Sequence, residues 1–383
     1  MAILKKASSK RPGRGGDFLA LLLLIAFIAG FGWLWWHEKH PAKAVPKKTS
    51  VPVPALEKPK APPKAQLQPV APPKPVLPPV PPPTPVQPLP PVPSAAEFPH
   101  AVQDVLEAQI ALARRAISPG SLDAATGSQT RAALVAFQRS QNIFPTGTLD
   151  TNTRPHLTLA MPALTTYTVT TNDLARLQPL GKTWLEKSEQ SALDYETELE
   201  LVAEQGHANP ALIRQLNPDV NWPSLAAGTV LKIPDVNYPE PDDKAALVVI
   251  HLSQRFLEAF DEHTNLLAHF PCSIAAKVEK RPVGELHVIV IAPDPNYTVN
   301  PELFPESAEL QAIGHKLILP PGPNNPVGVA WIGLDRPGYG MHGTPVPEQV
   351  GRTESHGCFR LANWDAAYLI KLVWIGMPVR VEP

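Results

Sequence analysis

Cysteine is nearly absent: Cys272 and Cys358 are the two in 383 residues. Two thiols cannot supply the disulfide framework that holds small secreted folds together. No Cys-x-x-Cys occurs either, so half of the usual zinc-finger ligand set is missing. Excess charge is missing as well. A formal net charge of −1 gives no field to gather a polyanion, and nucleic acid is not an expected partner. One uncharged apolar run is long enough to span a bilayer, Phe18 to Trp36.

Proline is abundant, with 49 residues, of which 21 fall in the 53 positions from Pro41 to Pro93. Neither helix nor sheet can form at that density, so residues 37–95 are expected to be an extended, disordered linker. At about 3.1 Å per residue the limit for Pro41 to Pro93 is on the order of 160 Å. Ahead of it, Lys5, Lys6, Lys10, Arg11 and Arg14 precede the apolar run. Residues 1–17 are expected on the cytoplasmic side and 18–36 as a single-pass anchor about 28 Å long. A cleavable signal peptide is the alternative, but no convincing small-x-small cleavage site follows the run, and its length suits spanning. The remainder is then extracytoplasmic.

Val102, Val105, Leu106, Ile110 and Ala113 recur at helical spacing up to a Ser118-Pro119-Gly120 turn, and Ser128 suits the cap of a second helix, Gln129 to Ser140. Gly127 to Leu134, Phe137-Gln138 and Gly147 to Asp150 together resemble a small three-helix peptidoglycan-binding domain over 96–160. Pro155 shortens its last helix. Tyr167-Thr-Val169, Leu216-Asn-Pro218 and Gly228 to Pro234 resemble a LysM module over 165–236, two strands enclosing two helices, with about 20 extra residues inserted around Glu186 to Glu189. Such modules bind peptidoglycan glycan strands; a structural spacer is the alternative for both.

From Ala245 the texture changes to short apolar runs, Leu247 to Leu252, Leu286 to Ile291, Lys316 to Leu319 and Val329 to Ile332, divided by Pro and Gly clusters, which reads as mainly β. Asn363 is expected to cap a helix with Trp364, Ala367, Tyr368 and Trp374 toward the sheet, ended by Gly376 and Pro378, before a last strand at Val379 to Val381. Within this region lies the densest chemistry of the chain, Gly340-Met-His-Gly-Thr344 followed by Ser355-His-Gly-Cys-Phe-Arg360. A thiol needs a base or an electropositive site to become a nucleophile, and His342 and His356 are the candidates. Gly343 and Gly357 let backbone approach a substrate, with amides near Gly357 and Cys358 suited to an oxyanion.

His342-Gly-Thr344, Ser355 to Arg360, Arg281-Pro-Val-Gly284, Gly322 to Gly328 and Trp331-Ile-Gly333 resemble the L,D-transpeptidase (YkuD) catalytic domain over 245–383. The resemblance implies a multidomain chain with a mainly β catalytic domain, a β-sandwich with a C-terminal helix, behind a small α-helical and a small α+β domain. It implies a cysteine-dependent acyltransferase of peptidoglycan stem peptides in the periplasm, anchored to the cell inner membrane. Cys358 is then the nucleophile and His342 the general base, oriented by the Gly343 carbonyl, with His356 and Gly357 beside the thiolate. Arg360 forks onto a substrate carboxylate, with Ser355, Thr344, Tyr339 and Trp331 around it. Ser355 also suits holding the loop, and aromatic packing explains Tyr339 and Trp331 equally well.

No cofactor and no metal are expected. The chemical rival is zinc held by His342, His356, Cys358 and His315. The functional rivals are a thiol carboxypeptidase or endopeptidase that hydrolyses stem peptides, and a non-catalytic wall-binding scaffold. Cys272 reads as a small buried apolar residue, and the isolated His251, His263, His287 and His315 as surface or satisfied core residues.

Overall fold

A computed structural model of the chain describes residues 98–355 and 357–383. The expected anchor at 18–36, the proline-rich segment at 37–95 and His356 lie outside the described residues. Among the described residues, no helix is long and apolar enough to cross a membrane.

The first module opens with β1 (His100–Ala101) and α1 (Val105–Ala113). Asp104 caps α1 by accepting from the Glu107 N–H at 2.9 Å, satisfying a donor that a helix start leaves free, while the Glu107 carboxylate accepts from the Gln103 N–H just before the cap at 2.8 Å. The helix ends at Ala113, before the Ser118 turn expected to end it. Helix α2 (Ser128–Ser140) starts with Gly127 in the cap position and Ser128 as its first residue. Pro155 sits inside a three-residue 3-10 turn, Arg154–His156, all that remains of a third helix. Strand β2 (Thr158–Leu159) then returns beside β1.

The second module is bounded by β3 (Leu164–Thr168) and enters the inserted residues as α3 (Thr171–Arg176) and α4 (Trp184–Glu189). Each is opened by a Thr capping box, Thr170 with Asp173 and Thr183 with Glu186. Then come α5 (Glu198–Gln205), α6 (Pro210–Leu216) and β4 (Val230–Pro234), which pairs antiparallel with β3. Two strands thus enclose four helices, where two were expected. The two modules share one apolar cluster, centred on Leu112, Phe137, Leu212 and Ile213. Arg114 ties their ends, donating to the Asp235 carboxylate at 3.0 Å and to the Pro162 carbonyl at 2.6 Å.

The last region carries β5 (Leu247–His251), β6 (Phe256–Phe260), β7 (Leu266–Pro271) and β8 (Gly284–Pro293), then β9 (Tyr297–Val299), α7 (Ala308–Ile313) and β10 (Leu317–Leu319). It ends with β11 (Ala330–Leu334), β12 (Gly340–His342), β13 (Phe359–Arg360), α8 (Asn363–Leu372) and β14 (Pro378–Glu382). Eight strands form one mixed sheet in the order β13-β12-β11-β8-β14-β5-β6-β7, with β9 and β10 as a separate ribbon. Strand β8 joins the two halves of the expected sandwich, pairing with β14 through Gly284 to His287 and with β11 through Val288 to Pro293.

Helix α8 covers this sheet. Its Tyr368 joins a core with Val248, Phe270, Ile332, Met341 and Phe359, where each fully buried large side chain contributes roughly 1.5–3 kcal/mol, whereas Trp364, expected on the same face, stacks on His207 of the second module at 5.0 Å. Trp374, expected on the same helical face, falls beyond the helix end at Leu372 and is 44% exposed. The β7 edge is not left open: His269 donates to the Ala116 carbonyl at 2.9 Å and accepts from the Ser118 N–H at 2.8 Å. The first module thereby closes an edge that would otherwise be free to pair with another chain.

Candidate active site

Strands β11, β12 and β13 place three side chains in one row. Trp331 pairs with His342 and His342 with Arg360, so all three share a face of the sheet. Met341 and Phe359, each one residue earlier, point the other way into the core and are fully buried. Cys358 directly precedes β13, which returns its side chain to the face of His342, in line with Gly340. The Trp331 and His342 rings lie 5.6 Å apart at 27°. Gly340 leaves space for that indole, because a Cβ there would stand 2.7 Å from the Trp331 ring.

His342 is 5% exposed. Its Nδ1 lies 2.6 Å from the Gly343 carbonyl oxygen; a carbonyl can only accept, so Nδ1 carries the proton and Nε2 keeps its lone pair. Burial pulls the imidazole down to about 4, opposed by the Gly343 bond and helped by the Arg360 charge. Burial pushes the Cys358 thiol up to about 11, against the Gly340 amide and Arg360, which both favour thiolate. Its Sγ sits 3.4 Å from the Gly338 carbonyl oxygen. At neutral pH both partners are therefore uncharged, a thiol and an imidazole.

Around this pair the expected residues fall into two groups. Ser355 is buried, donates from Oγ to the Cys358 carbonyl at 2.5 Å and accepts from the Gly357 N–H at 3.2 Å. It holds the turn, and the Gly357 amide is engaged there. Thr344 is 3% exposed with its hydroxyl against the Val346 N–H at 3.4 Å. Arg360 donates to the Glu354 carbonyl. Tyr339 is half-buried beside Gly357, with the Arg336 guanidinium 4.7 Å from its ring centroid. His315 is exposed on the ribbon side, with Nδ1 near the Lys316 carbonyl. Cys272 is fully buried and unpaired, its thiol pushed up to about 12 by burial.

Three residues take roles here that the sequence did not assign to them. Gly340 supplies an amide to the Cys358 sulfur. Tyr297, on β9, has its phenol raised chiefly by burial and then by the Cys358 charge, which sets it close to the thiol. Asn363 was expected to cap α8, but Ala362 holds the cap position without a side-chain bond. The Asn363 side chain turns to the site instead, its Oδ1 accepting from the Thr344 N–H at 3.0 Å. Gly340 opens the motif that carries His342, and Asn363 stood out by its position before a helix, which pointed to the commoner role.

Residues 245–381 match the family model of the L,D-transpeptidase catalytic domain (YkuD), and residues 102–157 match the "Putative peptidoglycan binding domain". The chain thus carries these two domains. It is 25% identical to the "Putative L,D-transpeptidase YkuD" of Bacillus licheniformis, over 48% of this chain and 93% of that protein. It is 29% identical to the "Probable L,D-transpeptidase YbiS" of Escherichia coli K12, over 48% of this chain and 59% of that protein, so it spans less than two thirds of that relative. Among solved structures, L,D-transpeptidase 3 from Mycobacterium tuberculosis aligns with a TM-score of 0.29 and 17% identity, over 42% of this chain and 77% of that one.

Proposed function

We propose that the chain is a peptidoglycan L,D-transpeptidase working through a cysteine thioester. The observation that carries this reading is the neutral pair on one sheet face, Cys358 with its thiol proton and His342 with Nδ1 fixed on Gly343 and Nε2 free to accept. As the sulfur attacks the carbonyl that precedes a terminal D-alanine, its proton passes to Nε2 of His342 and then to the departing amine. An amide bond breaks and a thioester forms. A side-chain amine of a second stem then attacks the thioester, loses its proton to His342 and restores the thiol, so no external energy source is needed. Arg360 stands beside both groups with a charge suited to a stem carboxylate.

The remaining parts of this reading concern delivery. The peptidoglycan-binding domain holds the enzyme on its polymer, the β3–β4 module is LysM-like in arrangement, and the apolar run 18–36 anchors the chain in the inner membrane with the catalytic domain in the periplasm. The test uses purified full-length chain with tetrapeptide muropeptides as sole substrate. Crosslinked dimers lacking one D-alanine are expected by mass spectrometry. Tripeptide and free D-alanine alone, at every acceptor concentration, would replace the transferase with the thiol carboxypeptidase.

A further inference from the structure

The peptide unit between Gly343 and Thr344 is used at both ends. Its carbonyl accepts from Nδ1 of His342 at 2.6 Å, and its N–H donates to Oδ1 of Asn363 at 3.0 Å. One planar group therefore sits between the imidazole and the side-chain amide, fixed in orientation from both sides. Donation from its N–H also polarises its carbonyl and strengthens the bond that carbonyl accepts. The same Asn363 oxygen receives the Val329 N–H at 3.4 Å, and its amide nitrogen donates to the Pro323 carbonyl at 3.2 Å. Two glycines make room for it: a Cβ on Gly343 would stand 2.3 Å from Asn363 Oδ1, and one on Gly328 2.0 Å.

The Pro321 to Asn324 loop that Asn363 grips is held on its other side by the second module. Leu193 donates to the Pro321 carbonyl at 2.9 Å and accepts from the Asn324 N–H at 2.9 Å. The Asn324 side chain donates to the Asp194 carbonyl at 3.0 Å and to the Glu200 carboxylate at 2.5 Å. Glu204, about one turn beyond Glu200 on α5, faces the Asn363 side chain, and burial before all else lifts its carboxyl to about 8. It can therefore sit there uncharged at neutral pH. Leu193 is fully buried with Val299, Leu310, Leu317 and Leu319, so the contact is packed as well as hydrogen-bonded.

We infer that Asn363 is a positioning residue for His342, and that the β3–β4 module, through Leu193, Asp194 and Glu200 on the Pro321 to Asn324 loop, keeps it in place. The module is then part of the support of the active site in addition to any glycan it binds. The inference rests on His342 being the base of the proposed reaction, but its sharpest test does not need turnover.

Full-length chain in detergent micelles, labelled with ¹⁵N-histidine, should show His342 as a single tautomer protonated at Nδ1. In Asn363→Ala that signal should shift toward a tautomer mixture, and acylation by imipenem should slow by about 10- to 100-fold, the range seen when an outer partner of a ligating histidine is removed. The non-covalent affinity for the drug should stay within about threefold, since Asn363 is 1% exposed and its side chain is taken up by Thr344, Val329 and Pro323. Asn324→Ala should move the same signal in the same direction with a loss of several-fold in rate. A wild-type rate in Asn363→Ala, or a slow variant whose His342 signal is unmoved, overturns the positioning role. Should Asn363→Ala fail to fold, Asn324→Ala decides: unchanged rate and signal would cut the module from the site. Wild-type protein that forms no adduct would count against the transpeptidase reading alone, because the tautomer is measured without it.

Discussion

One sheet holds His342 near one end and the pair His251 and His269 near the other, and they are wired differently. At the β12 end, buried His342 bonds a peptide carbonyl, with no carboxylate as its partner among the described residues. At the β7 end, Glu258 lies between two rings, Oε1 at 3.2 Å from His269 Nδ1 and Oε2 at 3.4 Å from His251 Nε2. Phe256 packs on both imidazoles at 4.7 and 4.6 Å. Burial weighs on both places. A carbonyl partner leaves the ring neutral with one nitrogen open for proton transfer, whereas a carboxylate partner engages the rings in keeping itself ionised. The first arrangement suits chemistry and the second suits structure.

The largest effect expected on this comparison comes from the two thiols, one at each kind of place. Cys358→Ala should eliminate the covalent imipenem adduct, while Cys272→Ala, whose thiol is enclosed in the core and pushed up to about 12, should keep most of it. Intact-protein mass after incubation separates them. An adduct that survives Cys358→Ala and disappears in Cys272→Ala would assign the chemistry to the wrong place.

Next in size is the base. His342→Ala should slow acylation by about 10² to 10⁴-fold, the usual worth of a positioned acid or base, and His251→Ala should leave the rate within about twofold. The pH profile sharpens this. With His342 near 4 and the Cys358 thiol near 11, the neutral pair is intact across the middle range, so acylation should change by less than about tenfold from pH 5 to 9. A reaction limited by free thiolate would rise about tenfold per pH unit there. That steeper rise would remove His342 from the proton path.

The sequence showed the catalytic end better than the structural one. Paired motifs carry His342, Cys358 and Ser355 as contiguous letters, and the spacing of apolar runs placed β5, β8, β11 and β14. Strands β6 and β7 were missed, and with them the Glu258 cluster, because its members meet by strand pairing: Glu258 faces His269 across the β6–β7 register, 11 positions apart in the chain. Asn363 was misread for a local reason. A residue ahead of an apolar helix is usually its cap, and only the return of Gly343 and Thr344 against α8 shows its oxygen in use elsewhere. The shared core of the first two modules was likewise invisible, since each run of helices reads as amphipathic whatever it packs on.

The smallest effect is one of stability, and it belongs to the structural end. Burial alone would raise the Glu258 carboxyl, but the His251 and His269 rings on either side of it, His269 through a hydrogen bond, outweigh it and hold the group at about 2, against an ordinary 4.5. A carboxylate lowered in the folded state stabilises above its unfolded pKa and loses that contribution as pH falls through the folded one. The window therefore runs from about pH 5 down to about pH 2, and the contribution is on the order of 3 kcal/mol. Glu258→Gln cannot titrate, so over that window its urea midpoint should fall less steeply than that of the wild type. Other lowered carboxylates, such as Asp261 and Asp335, titrate alike in both proteins and cancel in the difference. Parallel slopes would show that the two imidazoles do not hold Glu258 ionised. At pH 7 imipenem acylation of Glu258→Gln should match the wild type, because the altered group lies at the other end of the sheet from Cys358; a slow reaction there would mean the two ends are not independent.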